Sequence, residues 1–243
     1  MLSKATIKFI KSLQVKKYRK QEQSFVIEGA KSVQELLASD FEVRQVVGTR
    51  AFLDQLQVPL RGEVIEVPER ALEGLGEFQT NRTALAVARL KANRPISVGQ
   101  SEYVLALDDI RDPGNLGTII RTADWYGIRK IIASENTADF YNPKVISATM
   151  GSFTRVEIFY TDLKTWFAEN ALPVYGAFLD GEDVHTVEFP ERGALLIGSE
   201  SHGISDALAP SVTQRITIPR YGQAESLNAA IATAVICDNL RRR

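Results

Sequence analysis

Three separated segments in the C-terminal half of the chain carry the residue types best suited to chemistry. They are Asp109–Gly127 (DIRDPGNLGTIIRTADWYG), Leu195–Ile204 (LLIGSESHGI) and Ile216–Ile231 (ITIPRYGQAESLNAAI). Each places Gly, Pro, Ser or Asn where an apolar strand or helix begins or ends. A backbone without a bulky side chain can approach a ligand closely, and such junctions line clefts. Three of them predict a pocket built from loops. The first junction, Asp112–Gly117 (DPGNLG), stands where a phosphate-binding loop would. It has only Gly114 and Gly117, so it is not the G-x-G-x-x-G fingerprint, and it lacks the Lys-Ser/Thr pair of a Walker A loop. Nucleotide phosphate binding by either motif is therefore disfavoured. Arg121 stands off the apolar stripe of the helix that follows, as an exposed arginine or as a functional cation. Asn115 is open to a simple capping role.

In the second segment two glycines, Gly198 and Gly203, bracket Glu200 and permit tight curvature. The carboxylate can then accept backbone N–H groups or hold a neighbouring loop. His202 invites a catalytic reading, but the chain has only two histidines and no carboxylate is placed to pair with this one, so a surface or loop-ordering role is expected. His185, in a polar stretch, says less. In the third segment Pro219 and Gly222 turn the chain. Ser226-Leu227-Asn228 then opens a helix rich in small residues, with Ser226 in the position of an N-cap. Cys237 falls within that helix and is expected to be packed rather than reactive. As the only cysteine it excludes an intramolecular disulfide and a Cys-based zinc site, so no metal is expected.

These junctions need a scaffold of alternating strands and helices. A helix is expected over residues 4–17, with Lys4, Lys8 and Lys11 on one face and Ile7, Ile10 and Leu13 on the next. KKYRK (Lys16–Lys20) follows, interleaving cations with an aromatic ring, either as a nucleic-acid contact or as a solvated helix end. Strands are expected at Ser24–Ile27, Val43–Val47, Val64–Val67 and Thr83–Leu90. Helices are expected at Gly29–Ala38, Ala51–Gln55 and Glu69–Leu75. Lys91–Gln100 (KANRPISVGQ) reads as a linker, dividing the chain into domains 1–95 and 96–243. Beyond it, strands at Tyr103–Leu107, Lys130–Ala133, Arg155–Phe159, Val174–Phe178, Ala194–Ile197 and Arg215–Ile218 alternate with helices at Leu116–Tyr126, Pro143–Met150, Asp162–Glu169 and Ser226–Leu240. This is the pattern of a mostly parallel α/β sheet, whose ligands bind beyond the carboxyl ends of the strands.

The 243 residues, 44% hydrophobic and 24% charged, suit a soluble protein of one large or two modest domains. No apolar run approaches the ~20 residues needed to span a bilayer, so no membrane partner is expected. The N-terminus has no cleavable apolar core; a structural basic helix and a cytoplasmic setting are expected. The net charge of −1 hides an asymmetry: residues 1–95 hold 16 basic against 11 acidic residues, and the remainder 13 against 19. The basic half is the candidate polyanion surface.

Taken together, the three segments resemble, in order, the signatures of the SpoU (TrmH-type) RNA 2′-O-ribose methyltransferases of the SPOUT superfamily. Asp112-Pro-Gly-Asn-Leu-Gly with Arg121-Thr-Ala matches the first signature, and Ile197-Gly-Ser-Glu-Ser-His-Gly-Ile204 the second. Ile218-Pro-Arg-Tyr-Gly with Glu225-Ser-Leu-Asn-Ala-Ala-Ile231 matches the third. Phe25-Val-Ile-Glu-Gly-Ala resembles the start of the family's substrate-binding domain, itself similar to ribosomal proteins that bind kinked RNA. The resemblance implies a C-terminal trefoil-knotted methyltransferase domain behind a smaller N-terminal α/β RNA-binding domain, and an obligate homodimer. It also implies S-adenosyl-L-methionine held by backbone groups at Gly198, Ile218 and Leu227. Methyl transfer to a ribose 2′-hydroxyl would rest on Arg121, supported by Asn115, Glu200, Ser226 and Asn228, with Arg121 acting beside the cofactor of the other subunit. A guanidinium is a poor base, so Arg121 is expected to place a phosphate and stabilise the developing alkoxide. Arg220 departs from the family, which commonly has an apolar residue there.

Ribosomal RNA is favoured over tRNA as substrate, because a basic extension and a kinked-RNA-type domain suit a large structured RNA. The competing readings are a non-catalytic RNA-binding paralogue, 2′-O-methylation of tRNA, and a nucleotide-dependent oxidoreductase. The missing phosphate fingerprint argues against the last.

Overall fold

Two helices open the chain where periodicity predicts one. In the computed structural model, which describes residues 2–59, 62–78 and 80–242, α1 (Lys4–Ser12) starts at Ser3 and gives way at Leu13. Val15 is extended (φ −94°, ψ 126°) and α2 (Lys16–Glu22) begins anew. The single helix expected over 4–17 is thus broken. Leu13 is fully buried beside Ile10, and Arg19 of α2 turns back to donate from Nη1 to the carbonyls of Leu13 at 2.9 Å and Gln14 at 2.8 Å. Those carbonyls would have accepted from N–H groups four residues on had the helix continued.

The chain divides into two compact units, Met1–Ala92 with Asp139–Thr154, and Asn93–Ala138 with Arg155–Arg243. In the first, β1 (Ser24–Glu28), α3 (Ala30–Leu37), β2 (Val43–Gly48), α4 (Arg50–Asp54), β3 (Glu63–Glu66), α5 (Glu69–Leu72) and β4 (Ala84–Arg89) follow α2. The sheet order is β1-β4-β2-β3, with β4 antiparallel to both neighbours and β2 parallel to β3. Ile10, Leu13, Val26, Val47, Leu72 and Leu85 form one core over this sheet.

In the second unit, β5 (Tyr103–Leu107), α6 (Pro113–Trp125) and β6 (Lys130–Ala133) come first. The chain then contributes α7 (Pro143–Ala148) to the first unit before returning with β7 (Glu157–Tyr160), α8 (Leu163–Glu169), β8 (Val174–Asp183), β9 (Gly193–Ile197), β10 (Gln214–Thr217) and α9 (Ala229–Arg241). The six strands pair only in parallel, in the order β10-β8-β9-β5-β6-β7. Every residue of β5 and β9 is buried, as central parallel strands covered on both faces require. The α/β class and mostly parallel sheet expected from sequence are therefore present. Among the described residues no helix is long and apolar enough to cross a membrane.

The segment within the first unit is held by aromatic packing and by ion pairs, among them Lys144 with Glu77 at 3.8 Å. Phe25 of β1 meets Tyr141 at 4.7 Å and Phe153 at 6.1 Å between ring centroids. Arg19 Nη2 reaches Asp139 Oδ2 at 2.6 Å, with the arginine 2% exposed.

Candidate active site

The three signature segments follow β5, β9 and β10, all at carboxyl ends of the parallel sheet. Helix α6 starts earlier than the expected Leu116. Asp112 is its N-cap, its Oδ1 accepting the Asn115 N–H at 2.8 Å, and Pro113 fills the first turn, where a missing N–H costs nothing. Because Asp112 caps the helix, the Asn115 side chain is free for longer-range bonding. Its Nδ2 donates to Glu200 Oε1, and its Oδ1 accepts from Asn228 Nδ2 at 2.8 Å.

Asn228 in turn caps α9. Its Oδ1 accepts the N–H groups of Ala230 at 3.0 Å and Ile231 at 3.3 Å, while the Ala229 N–H donates to Glu200 Oε1 at 3.3 Å. The helix expected from Ser226 therefore starts at Ala229, and Asn228 rather than Ser226 is the cap. One oxygen of Glu200 gathers two donors, so a single carboxylate ties the start of α9 to the first turn of α6. Three of the five candidate catalytic residues, Asn115, Glu200 and Asn228, thus form one network across all three segments.

Ser226 is exposed and lines the adjoining cavity. Arg121 joins neither feature. It is exposed on α6, six residues or about 9 Å of helix beyond Asn115, and it has no ion pair or hydrogen bond among the described residues.

The cavity has a volume of about 910 Å³, within the range of small-ligand sites. All three candidate cofactor-binding residues, Gly198, Ile218 and Leu227, line it, together with Glu200. Gly198 is obligatory. A Cβ there would lie 2.1 Å from the carbonyl carbon of Gly203, because Ser199 and Gly203 close a tight loop by exchanging N–H···O bonds of 3.1 and 2.8 Å. Gly203 itself has φ +68°, a conformation glycine adopts without steric cost. Arg220 also lines the cavity and donates from Nη1 to the Ala224 carbonyl at 3.4 Å, closing its own loop.

One cavity wall was not foreseen. The expected strand Val174–Phe178 runs on to Asp183, and its pairing with β10 jumps from Gly176 to Glu182 between Arg215 and Ile216. Residues 177–181 thus leave the ladder, and Ala177, Phe178, Leu179 and Asp180 line the cavity. The available signal was the pair of glycines, Gly176 and Gly181, bracketing the stretch. Asp108 was also missed. Buried at the end of β5, its Oδ2 accepts the Ser205 N–H at 2.8 Å and anchors the loop that follows β9.

His202 is exposed, and its backbone N–H donates to Ser199 Oγ at 3.3 Å. His185 Nδ1 lies 3.0 Å from Asn239 Oδ1. Cys237 is fully buried, and burial pushes its thiol up to about 12, so it is packed rather than nucleophilic.

Residues 102–238 match the SpoU rRNA Methylase family, and residues 4–86 match the MRM3-like substrate binding domain. The chain is 31% identical over 243 residues to the 23S rRNA (guanosine(2553)-2′-O)-methyltransferase RlmP of Bacillus subtilis (strain 168), covering 97% of this chain and 95% of that protein. Among solved structures, a TrmH-family protein from Porphyromonas gingivalis matches with a TM-score of 0.90 at 41% identity, covering 100% of this chain and 99% of that one. An AdoMet-bound rRNA methyltransferase from Sinorhizobium meliloti matches with a TM-score of 0.87 at 30% identity, covering 100% and 96%. Loops and cavity at the ends of a parallel sheet, a family match over more than half the chain and near full-length relatives lead to one conclusion: the chain belongs to the SpoU rRNA methylase family.

Proposed function

We propose that the protein is an S-adenosyl-L-methionine-dependent methyltransferase acting on a ribose 2′-hydroxyl of ribosomal RNA, with 23S rRNA as the substrate to test first. The observation that carries this reading is the cavity lined by the second and third signature loops and tied to the first by the Asn228–Asn115–Glu200 network. The cavity fits the cofactor chemically: apolar surface predominates in its lining, with Asp180, Glu200, Glu225 and Arg220 as its charged groups, and it offers no nucleotide-phosphate motif. Backbone groups at Gly198, Ile218 and Leu227 would hold the cofactor, which when bound supplies a sulfonium methyl as electrophile.

The chain's own residues do the rest. Glu200, Asn115 and Asn228 hold the loops in register, so that the reacting oxygen meets a preformed site. Arg121, permanently cationic, orients the neighbouring phosphate and stabilises negative charge growing on the 2′-oxygen. The proton leaves through Ser226 or water. Arg121 stands outside the cavity of its own chain, which supports its acting beside the cofactor of a second copy. Trp125 (84% exposed) on α6 and Ile231 (53%) on α9 are large exposed apolar side chains on these two packed helices, which supports a homodimer made through them. A trefoil knot, RNA binding by residues 1–95, methyl transfer by residues 96–243 and a cytoplasmic setting complete the proposal.

The test is transfer from labelled S-adenosyl-L-methionine to unmodified 23S rRNA and, separately, tRNA, with the product nucleotide located by digestion and mass spectrometry. A 2′-O-methyl nucleotide in rRNA that Arg121→Ala abolishes is the expected result. Transfer to tRNA alone moves the substrate. Absence of both transfer and cofactor binding replaces the enzyme with a non-catalytic RNA binder.

A further inference from the structure

We propose that the outer face of the α1–α2 corner is a phosphate-backbone clamp for the RNA substrate, built from Lys4, Lys8, Lys11, Lys16, Lys17 and Lys20 around the exposed ring of Tyr18. All six lysines are exposed, and no acidic residue precedes Glu22. On α1, Lys4, Lys8 and Lys11 follow the i, i+4, i+7 spacing that aligns them along one face over about 10 Å. On α2, Tyr18 is 40% exposed among Lys16, Lys17 and Lys20, and Val15 just before the helix is 51% exposed.

Pairing separates these lysines from most other cations of the unit, although among the described residues Lys31, Arg44 and Arg70 also lack a carboxylate partner. Arg50 is bonded to Asp54 and Glu66, Arg82 to Glu73, Arg89 to Glu42, Lys91 to Asp40 and Lys144 to Glu77. Among the described residues none of the six lysines has an ion-pair partner. Six unneutralised cations close in sequence repel one another, and a polyanion relieves that repulsion while releasing its counterions.

The corner is also held in place. The one cation of this stretch that faces inward, Arg19, is 2% exposed and is spent on the carbonyls of Leu13 and Gln14 and on Asp139. It locks the angle between the helices, so the lysines are presented on an ordered surface rather than a frayed end. Mixed cations and an exposed ring select a nucleic-acid backbone with an unstacked base over a purely anionic surface.

The proposal rests on the RNA-methylation reading only for its choice of probe, a 23S rRNA transcript. Binding of the full-length protein is measured as a function of salt for the wild type, for Lys16→Gln/Lys17→Gln/Lys20→Gln, for Lys4→Gln/Lys8→Gln/Lys11→Gln and for the sixfold variant. Each trio should lower the slope of log affinity against log salt by about 2, and affinity at ~0.1 M salt should fall at least about tenfold. Tyr18→Leu should weaken binding to single-stranded RNA about tenfold. Cofactor affinity and the unfolding midpoint should not move.

Unchanged affinity and slope in the folded sixfold variant would overturn the clamp. So would lysine-dependent binding to phosphatidylglycerol vesicles with RNA affinity untouched. The slope change without methyl transfer to any RNA would keep the clamp and remove the proposed reaction. Methyl transfer with wild-type RNA affinity in the sixfold variant would do the reverse.

Discussion

At the scale of single residues, roles divide between groups that build the cavity and groups that act at its edge. Gly198 builds it. Any side chain there collides with the Gly203 backbone, so Gly198→Ala should abolish the thermal stabilisation that S-adenosyl-L-methionine confers on the wild type, a difference read directly by calorimetry with and without cofactor. Arg121, outside the cavity of its own chain, is proposed to act at the edge of a second copy's. Arg121→Ala should cut turnover about 100- to 1000-fold, the scale seen when an oxyanion-stabilising donor is removed, and leave cofactor affinity within about twofold. Equal loss of turnover and cofactor binding in the same titration would remove Arg121 from the reaction. The candidate residues were legible in the three segments; how they connect was not. Asn115 had an adequate local explanation as a helix cap, yet Asp112 takes that role and Asn115 spans 85 residues of sequence to Glu200 and 113 to Asn228.

At the scale of elements, the break between α1 and α2 is the clearest case of tertiary bonding overriding periodicity. A buried arginine whose carboxylate is removed leaves an uncompensated charge, so Asp139→Ala should destabilise the protein by about 3 kcal/mol in urea unfolding. Arg19→Ala should cost a similar amount, and the double variant much less than the sum, because the two residues share one interaction. The pair also explains why α7 packs with the first unit, although it lies between β6 and β7 in sequence. Strands β5 and β9, uniformly apolar, were readable as buried parallel strands. The excursion of residues 177–181 from the β10 ladder was not, since only Gly176 and Gly181 mark it locally and Leu179–Asp183 does not read as strand at all.

At the scale of the whole molecule, assembly and alkaline stability give two further tests. If the apolar faces of α6 and α9 join two copies, Trp125→Glu should convert a dimer to a monomer in light scattering and remove methyl transfer, because the cavity loses the partner's Arg121. The buried thiol predicts a pH effect of definite sign. The ordinary thiol value is 9.0 and burial raises Cys237 to about 12 in the fold. Between these values the unfolded chain sheds a proton that the folded chain keeps. Stability should therefore fall as pH rises above 9.0, approaching about 1.4 kcal/mol per pH unit, and Cys237→Ala should flatten that decline. Above pH 10.0 the phenol of Tyr141, likewise raised to about 12 by burial, adds a second proton in the same direction.

Sequence by itself determined the α/β class, the order of the strands and helices, the family and the three loops that the Asn228–Asn115–Glu200 network joins. These depend on apolar periodicity over a few residues and on glycines and prolines whose backbone demands are local. Tertiary structure alone decided that Asn228 rather than Ser226 caps α9, that Glu200 binds two helix starts at once, that residues 177–180 form a cavity wall, and that Arg19 breaks the first helix to reach Asp139. Each outcome is a competition between a satisfactory local bond and one made across the fold. Burial settles it for Arg19, because a polar group out of reach of water must take whichever partner packing brings to it, whereas the exposed Glu200 and Asn228 are decided by which chain segments the sheet brings side by side.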